Sequence, residues 1–310
     1  MKHRHEIVLV LLLITLMVAA GWLMPTFVQS RSQLILSKHL WETAILAIGM
    51  TLIIITGGID LSVGSAMGMC AVAFGICYQR TGSIALSSSV CIAVGTLGGA
   101  TNGWLISRLR VHPLIITLAT YAGFRGIAEG VSQGASYSQF GDAFGRLAGE
   151  GPWFGLPIPA YIFIGLAVLT AIVLARTPVG RFIYAMGHNE TAAKFSGVPV
   201  DGIKSWLYTI SGLLAGVATL IYVSRFDSAK ADVATGIELD VITAVVIGGT
   251  SIVGGRGNIV GTCLGLLLIH ETKLFVGRYY RVEELKSILV GLLLIGALLS
   301  QRLFVLKDRE

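Results

Sequence analysis

The sequence predicts an all-α protein that crosses a membrane many times. Three observations carry that expectation. Of 310 residues, 54% are hydrophobic and only 13% charged, against about 25% charged in an ordinary soluble domain. Mean hydropathy is +0.79. The 39 glycines are far above the usual share, as expected where transmembrane helices pack closely through small residues. Together these exclude a soluble globular enzyme and a disordered chain. The net charge of +6 would suit nucleic acid, but no basic residues cluster into a contiguous face. Membrane topology accounts for the excess better.

The elements follow in chain order. Residues 7–24 form an apolar run behind a basic start, Lys2-His3-Arg4-His5. The run is longer than a signal-peptide core and no small-x-small cleavage site follows, so a retained first span is expected. Apolar stretches near the ~20 residues a bilayer requires recur at 85–106, 113–132, 158–175, 206–224 and 286–303. Two longer stretches, 40–78 and 239–276, are interrupted by Gly57-Gly58-Ile59-Asp60 and by Gly248-Gly249 with Gly254-Gly255-Arg256-Gly257. Each suits two short helices meeting at a glycine-rich break, which gives about ten helices. Segment 133–157 is expected to be an ordered loop or short surface helix, and residues 1–310 to form a single transmembrane domain.

Charge tests the topology. With the N-terminus inside, the cytoplasmic segments hold twelve basic and six acidic residues, and the outer segments eight of each. The net charge falls on one side, as the positive-inside rule requires for ten spans with both termini cytoplasmic. Cys70, Cys77, Cys91 and Cys263 lie in apolar stretches without metal spacing and are expected to be small core hydrophobes. No metal site is expected.

The chemistry concentrates in the cytoplasmic loop 176–204. Asn189 is a good N-cap and Glu190 complements the positive helix start. Ala192, Ala193 and Lys194 favour helix. Gly197 suits the left-handed position past the C-terminus, and Pro199 cannot continue the helix. A capped helix of about two turns, roughly 10 Å long, results, with Asp201 free to cap the next span. Such a helix is either an interfacial connector or a docking knob for a cytoplasmic partner.

The segment 180–198, Gly-Arg-x₅-Gly-x-Asn-x₂-Ala-Ala-x₂-Ser-Gly-Val, resembles the coupling loop of permease subunits of bacterial sugar-type ABC importers. That group takes ribose, xylose, galactose, rhamnose and autoinducer 2. Gly57 to Ser65, Asn102-Gly103, Pro113 to Leu118 and Ala244 to Gly257 are similar to further blocks of the family, so the resemblance runs from about residue 40 to 300. It implies a bacterial inner-membrane subunit working with an ATP-binding cassette subunit, a periplasmic solute-binding protein and a second permease chain, identical or paralogous. The chain itself has no Gly-x₄-Gly-Lys-Ser/Thr phosphate loop, so ATP and Mg are expected on the partner ATPase and no cofactor on this chain. The family's coupling role falls on Gly187, Asn189, Glu190, Ala192, Ala193, Lys194, Ser196 and Gly197.

Asp60 is either a polar group of the substrate pathway or gate, or the N-cap of the following helix with Ser62 assisting. The second is favoured because the break lies near the cytoplasmic end. Ser62, Asn102, Thr117, Tyr121, Thr250 and Ser251 complete the candidate pathway residues. Tyr121, Phe124 and Trp104 have rings able to stack on a sugar, although aromatics in spans are more often packing or belt residues. Arg125 and Glu129 are spaced to pair on one helix face. His270, Glu271 and Lys273 cluster toward the outer end of a span, where snorkelling is the commoner role. An ion-coupled secondary transporter is the alternative function. It would need carboxylates deep in several spans, which the sequence lacks, and a membrane enzyme would need a catalytic motif, which it also lacks.

Overall fold

A computed structural model describes residues 4–38, 40–149, 151, 155–282 and 284–307. Lys2, His3, Glu150, Glu283, Asp308, Arg309 and Glu310 of the charge pattern lie outside the described residues. The helices in order are α1 (Arg4–Leu23), α2 (Ser30–Ser37), α3 (Trp41–Ile55), α4 (Val63–Thr81), α5 (Ile84–Leu109), α6 (Pro113–Ser132), α7 (Asp142–Gly145), α8 (Ile158–Arg176), α9 (Pro178–His188), α10 (Glu190–Phe195), α11 (Val200–Phe226), α12 (Ile237–Ile247), α13 (Ile259–Tyr280) and α14 (Glu284–Lys307). Two-residue strands β1 (Tyr137–Ser138) and β2 (Ser228–Ala229) pair antiparallel on the loops after α6 and α11. Among the described residues, six helices are long and apolar enough to cross a membrane: α1, α5, α6, α8, α11 and α13.

α3, α4, α5, α11 and α12 make the core. Every residue of α3 except Thr43 is buried, the pattern of a helix enclosed by protein on all sides. The outer helices are the reverse. Ile7, Leu11 and Trp22 of α1 and Ile164, Val168 and Leu169 of α8 are exposed, and such apolar faces belong in hydrocarbon.

The tightest packing is between α5 and α11, and glycine makes it possible. Gly95, Gly99 and Gly103 recur every four residues on one face of α5 and meet Ser205, Tyr208 and Gly212 of α11 backbone to backbone. A Cβ at Gly95 would stand 2.5 Å from Gly212 O, and one at Gly103 the same distance from Ser205 O. This is the small-xxx-small contact that lets membrane helices approach closely. Cys91 and Cys70 are buried beside it and all four cysteines are free.

At the α6 and α11 ends the loop is ordered by side chains. Asp227 accepts from Gln139 N at 3.0 Å and Phe140 N at 2.9 Å, and Phe74, Tyr78, Phe140 and Phe144 stack beneath with centroids 5.0–6.4 Å apart. A buried ion pair joins Glu42 of α3 to Arg225 of α11 at 3.0 Å. Arg225 also lies 4.3 Å over the Phe226 ring.

Candidate functional site

The loop between α8 and α11 folds into two short helices. Thr177 caps α9 by accepting from Gly180 N at 3.2 Å, with Pro178 as its first residue. A Thr-Pro pair is a regular helix start, and it is the sign in the sequence of α9, which lies within the cytoplasmic loop 176–204. Asn189 caps α10 by accepting from Ala192 N at 2.9 Å, as expected. Gly197 takes φ +84° just beyond α10, and Val198 N returns to Ala193 O at 3.1 Å, closing the helix as Gly C-caps do. Asp201 does not cap α11, which has no side-chain cap. It pairs instead with Lys194 at 2.9 Å, and Lys204 pairs with Glu190 at 2.6 Å. These two bridges fasten α10 to the start of α11.

Met186, Ala193, Val198 and Val200 form a small buried cluster beneath α10. Its other face is open: Asn189, Glu190, Ala192, Lys194, Ser196 and Gly197 are all exposed. Phe195 is 89% exposed. It is not among the positions fixed by the 180–198 motif. Its signal was an aromatic ring at the end of a helix otherwise made of small and polar residues.

The same loop touches both glycine-rich segments. Gly187, at the end of α9, lies so close to Ile55 O and Gly255 N that a methyl group there would overlap them. Gly255 N donates to Ile55 O at 2.8 Å. Gly254, at φ +94°, faces Gly187 O and Gly57 N, each 2.9 Å from where its Cβ would stand. Tyr184 donates to Gly257 O at 2.7 Å, and partial burial pushes its phenol pKa up, so it stays a neutral donor. The end of α3, the turn after α12 and the end of α9 therefore meet in one seam of backbone. His5 adds α1 to it by bonding Ile247 O at 2.8 Å.

Just above the α3 end lies the Asp60 network. Asp60 Oδ1 accepts from Ser62 N at 3.0 Å and Ser62 Oγ at 2.6 Å, and Oδ2 accepts from Ser211 Oγ at 2.9 Å. Asn102 Nδ2 donates to Ser62 Oγ at 2.8 Å. Thr117 donates to Ile59 O at 3.1 Å. Asp60 is thus not the cap of α4. Ser62 holds that position without a side-chain bond, and Asp60 braces the turn before it. Asp60, Ser62, Asn102 and Thr117 are each at most 2% exposed. Tyr121 is half-buried and stands apart from the network; Thr250 is buried and Ser251 half-buried in the turn after α12.

Two expected clusters are arranged differently. Arg125 turns away from exposed Glu129 and donates to Ala231 O and, at 3.2 Å, to Val233 O, because the loop after α11 lies against α6. Lys273 pairs with Asp240 of α12, inside a cavity of about 340 Å³ that His270 and Lys286 also line. Among the described residues, no group of three or more His, Cys, Asp or Glu has the arrangement of a metal site.

Residues 41–298 match the family described as branched-chain amino acid transport system / permease component. The chain belongs to that family. The matched permease segment runs from the first residue of α3 well into α14, and so contains the seam, the Asp60 network and α10. The chain is 38% identical over 263 residues to the ribose import permease protein RbsC of Escherichia coli strain K12, covering 83% of this chain and 81% of that one. It is 36% identical over 261 residues to the ribose import permease of Haemophilus influenzae, covering 83% and 80%. It is 35% identical over 257 residues to the autoinducer 2 import system permease protein LsrD of Yersinia pseudotuberculosis, covering 81% and 77%. No solved structure matches the chain.

Proposed function

We propose that this chain is the permease subunit of an ATP-driven importer that moves a monosaccharide or a similar polyhydroxylated solute across the bacterial inner membrane. The observation that carries this reading is the family match over 41–298 together with ribose and autoinducer 2 permeases 35–38% identical over about four fifths of the chain. It favours an ATP-driven importer over an ion-coupled transporter working alone. A periplasmic binding protein delivers the solute, a second permease chain completes the pathway, and a separate ATP-binding cassette subunit hydrolyses ATP with Mg. In this arrangement residues 1–310 form one multi-pass domain of about ten spans, with α3/α4 and α12/α13 as glycine-broken pairs and both termini cytoplasmic.

α10 is the proposed contact with the ATPase. Asn189 and Gly197 fix its length, the Glu190–Lys204 and Lys194–Asp201 bridges hold it against α11, and Phe195 offers an exposed aromatic ring of the kind that anchors an interface once a partner desolvates it. Movement of α10 carries Gly187, and Gly187 abuts the ends of both broken pairs. Asp60, Ser62, Asn102, Thr117, Tyr121, Thr250 and Ser251 lie on or next to those pairs and would shift with them. The test is uptake by the reconstituted complex of permease, ATPase and binding protein. Glu190→Lys and Gly197→Pro should each abolish ATP-driven uptake while the chain remains membrane-inserted. Wild-type uptake by either variant would sink the assignment of α10.

A further inference from the structure

The Asp60 network borders a small, partly open void of about 10 Å³, lined by Asp60, Ser62 and Asn102 and by Ser211, Gly212 and Ala215 of α11, with Gly99 and Phe124 among its other walls. Roughly that volume holds one particle the size of a water molecule. Ser62 has one hydroxyl proton and gives it to Asp60 Oδ1. Its oxygen must therefore accept the bond from Asn102, which fixes the amide with its nitrogen toward Ser62. Asn102 Oδ1 is then left buried without a hydrogen-bond partner, in a residue 1% exposed. Asp60, 2% exposed, makes no ion pair among the described residues. A carboxylate and an amide oxygen thus border one void, and both want positive charge.

We propose that this void is a binding site for a single monovalent alkali cation, held by Asp60, Asn102 Oδ1 and the lone pairs of Ser211 Oγ. The three hydrogen bonds that Asp60 accepts favour its ionised form, and a water molecule would satisfy the amide oxygen but leave that buried carboxylate without a counter-charge, which is costly in a low-dielectric interior. A cation supplies both. The donors are all hard oxygens, which suit alkali and alkaline-earth ions. One carboxylate matches a charge of +1, whereas divalent sites recruit more acidic ligands and more coordinated water than this void admits. The ion would tie the turn after α3 to α5 and α11 at one point. The inference stands whether or not the chain imports sugars.

The full chain purified in detergent tests it. Thermal unfolding is followed in sodium, potassium and choline chloride at equal ionic strength, and ²²Na⁺ retention is measured by equilibrium dialysis. The expected result is a saturable rise in Tm in the alkali salts over choline and one retained ²²Na⁺ per chain. Asn102→Leu should abolish both. Ser211→Ala removes only one hydroxyl and so preserves the fold; it should weaken sodium binding at least several-fold. Equal Tm in the three salts with no retained ²²Na⁺, or retention unchanged in Ser211→Ala, would overturn the proposal and leave the void to water.

Discussion

At Gly187 one methyl group is too much. Ile55 O and Gly255 N occupy the space a Cβ would need, and both belong to backbone that cannot rotate away. Gly187→Ala should therefore cost about 1–3 kcal/mol, the range for overpacking, and reduce reconstituted uptake at least tenfold; uptake at the wild-type rate would contradict the contact. Asn189→Ala acts differently. It removes the acceptor for Ala192 N, worth about 1 kcal/mol, and should shorten protease protection of the 176–204 loop without altering insertion. Both residues were legible in the sequence, but to different depths. Asn189 followed by Glu190 announces a helix start locally. Gly187 stood out only through its family motif, because its neighbours at 55 and 255 are distant in sequence. Asp60 shows the same limit: a bond to Ser62 is readable at two residues' spacing, whereas the bond from Ser211 is not.

Among the elements, α10 is held from behind and open in front. Phe195→Ala should leave thermal stability within about 0.5 kcal/mol, as surface changes do, since the ring is 89% exposed. If the ring is the anchor, the same change should weaken ATPase association roughly tenfold or more, measured by titrating the cassette subunit onto the permease in nanodiscs. Equal affinity would remove Phe195 from the interface. α3 and α11 offer the opposite case. Glu42 and Arg225 are paired in the interior, so Arg225→Ala strands a carboxylate and should destabilise by about 3–5 kcal/mol, read from the thermal midpoint. The long apolar helices were legible because a bilayer demands a single unbroken run. α9 was not, since its eleven residues are amphipathic and carry no such run. The Glu42–Arg225 pair was hidden for another reason: each charge looked like an ordinary loop residue near a span end.

For the whole molecule, charge asymmetry and helix order make a joint prediction. Single cysteines at positions 190 and 146, in a background lacking the four native ones, should be labelled from opposite sides of the membrane, 190 from the cytoplasm and 146 from outside. Both positions are exposed, so accessibility alone does not bias the result, and the reverse pattern would refute the topology. Composition revealed the class of fold, yet it did not reveal which glycines do what. Gly95, Gly99 and Gly103 draw α5 onto α11, while Gly187, Gly254 and Gly255 admit backbone to backbone where three chain segments meet.

That seam has a mechanical consequence. A side chain between two segments is a cushion: its rotamers absorb small displacements before the neighbour feels them. Where Gly187 meets Ile55 O and Gly255 N, and Gly254 meets Gly187 O and Gly57 N, there is no cushion, only carbonyls and amides at contact distance. A linkage of this kind has almost no slack. A shift of a few tenths of an ångström at one segment meets hard repulsion at the next, so play is removed from the joint and little of an input stroke is lost within it.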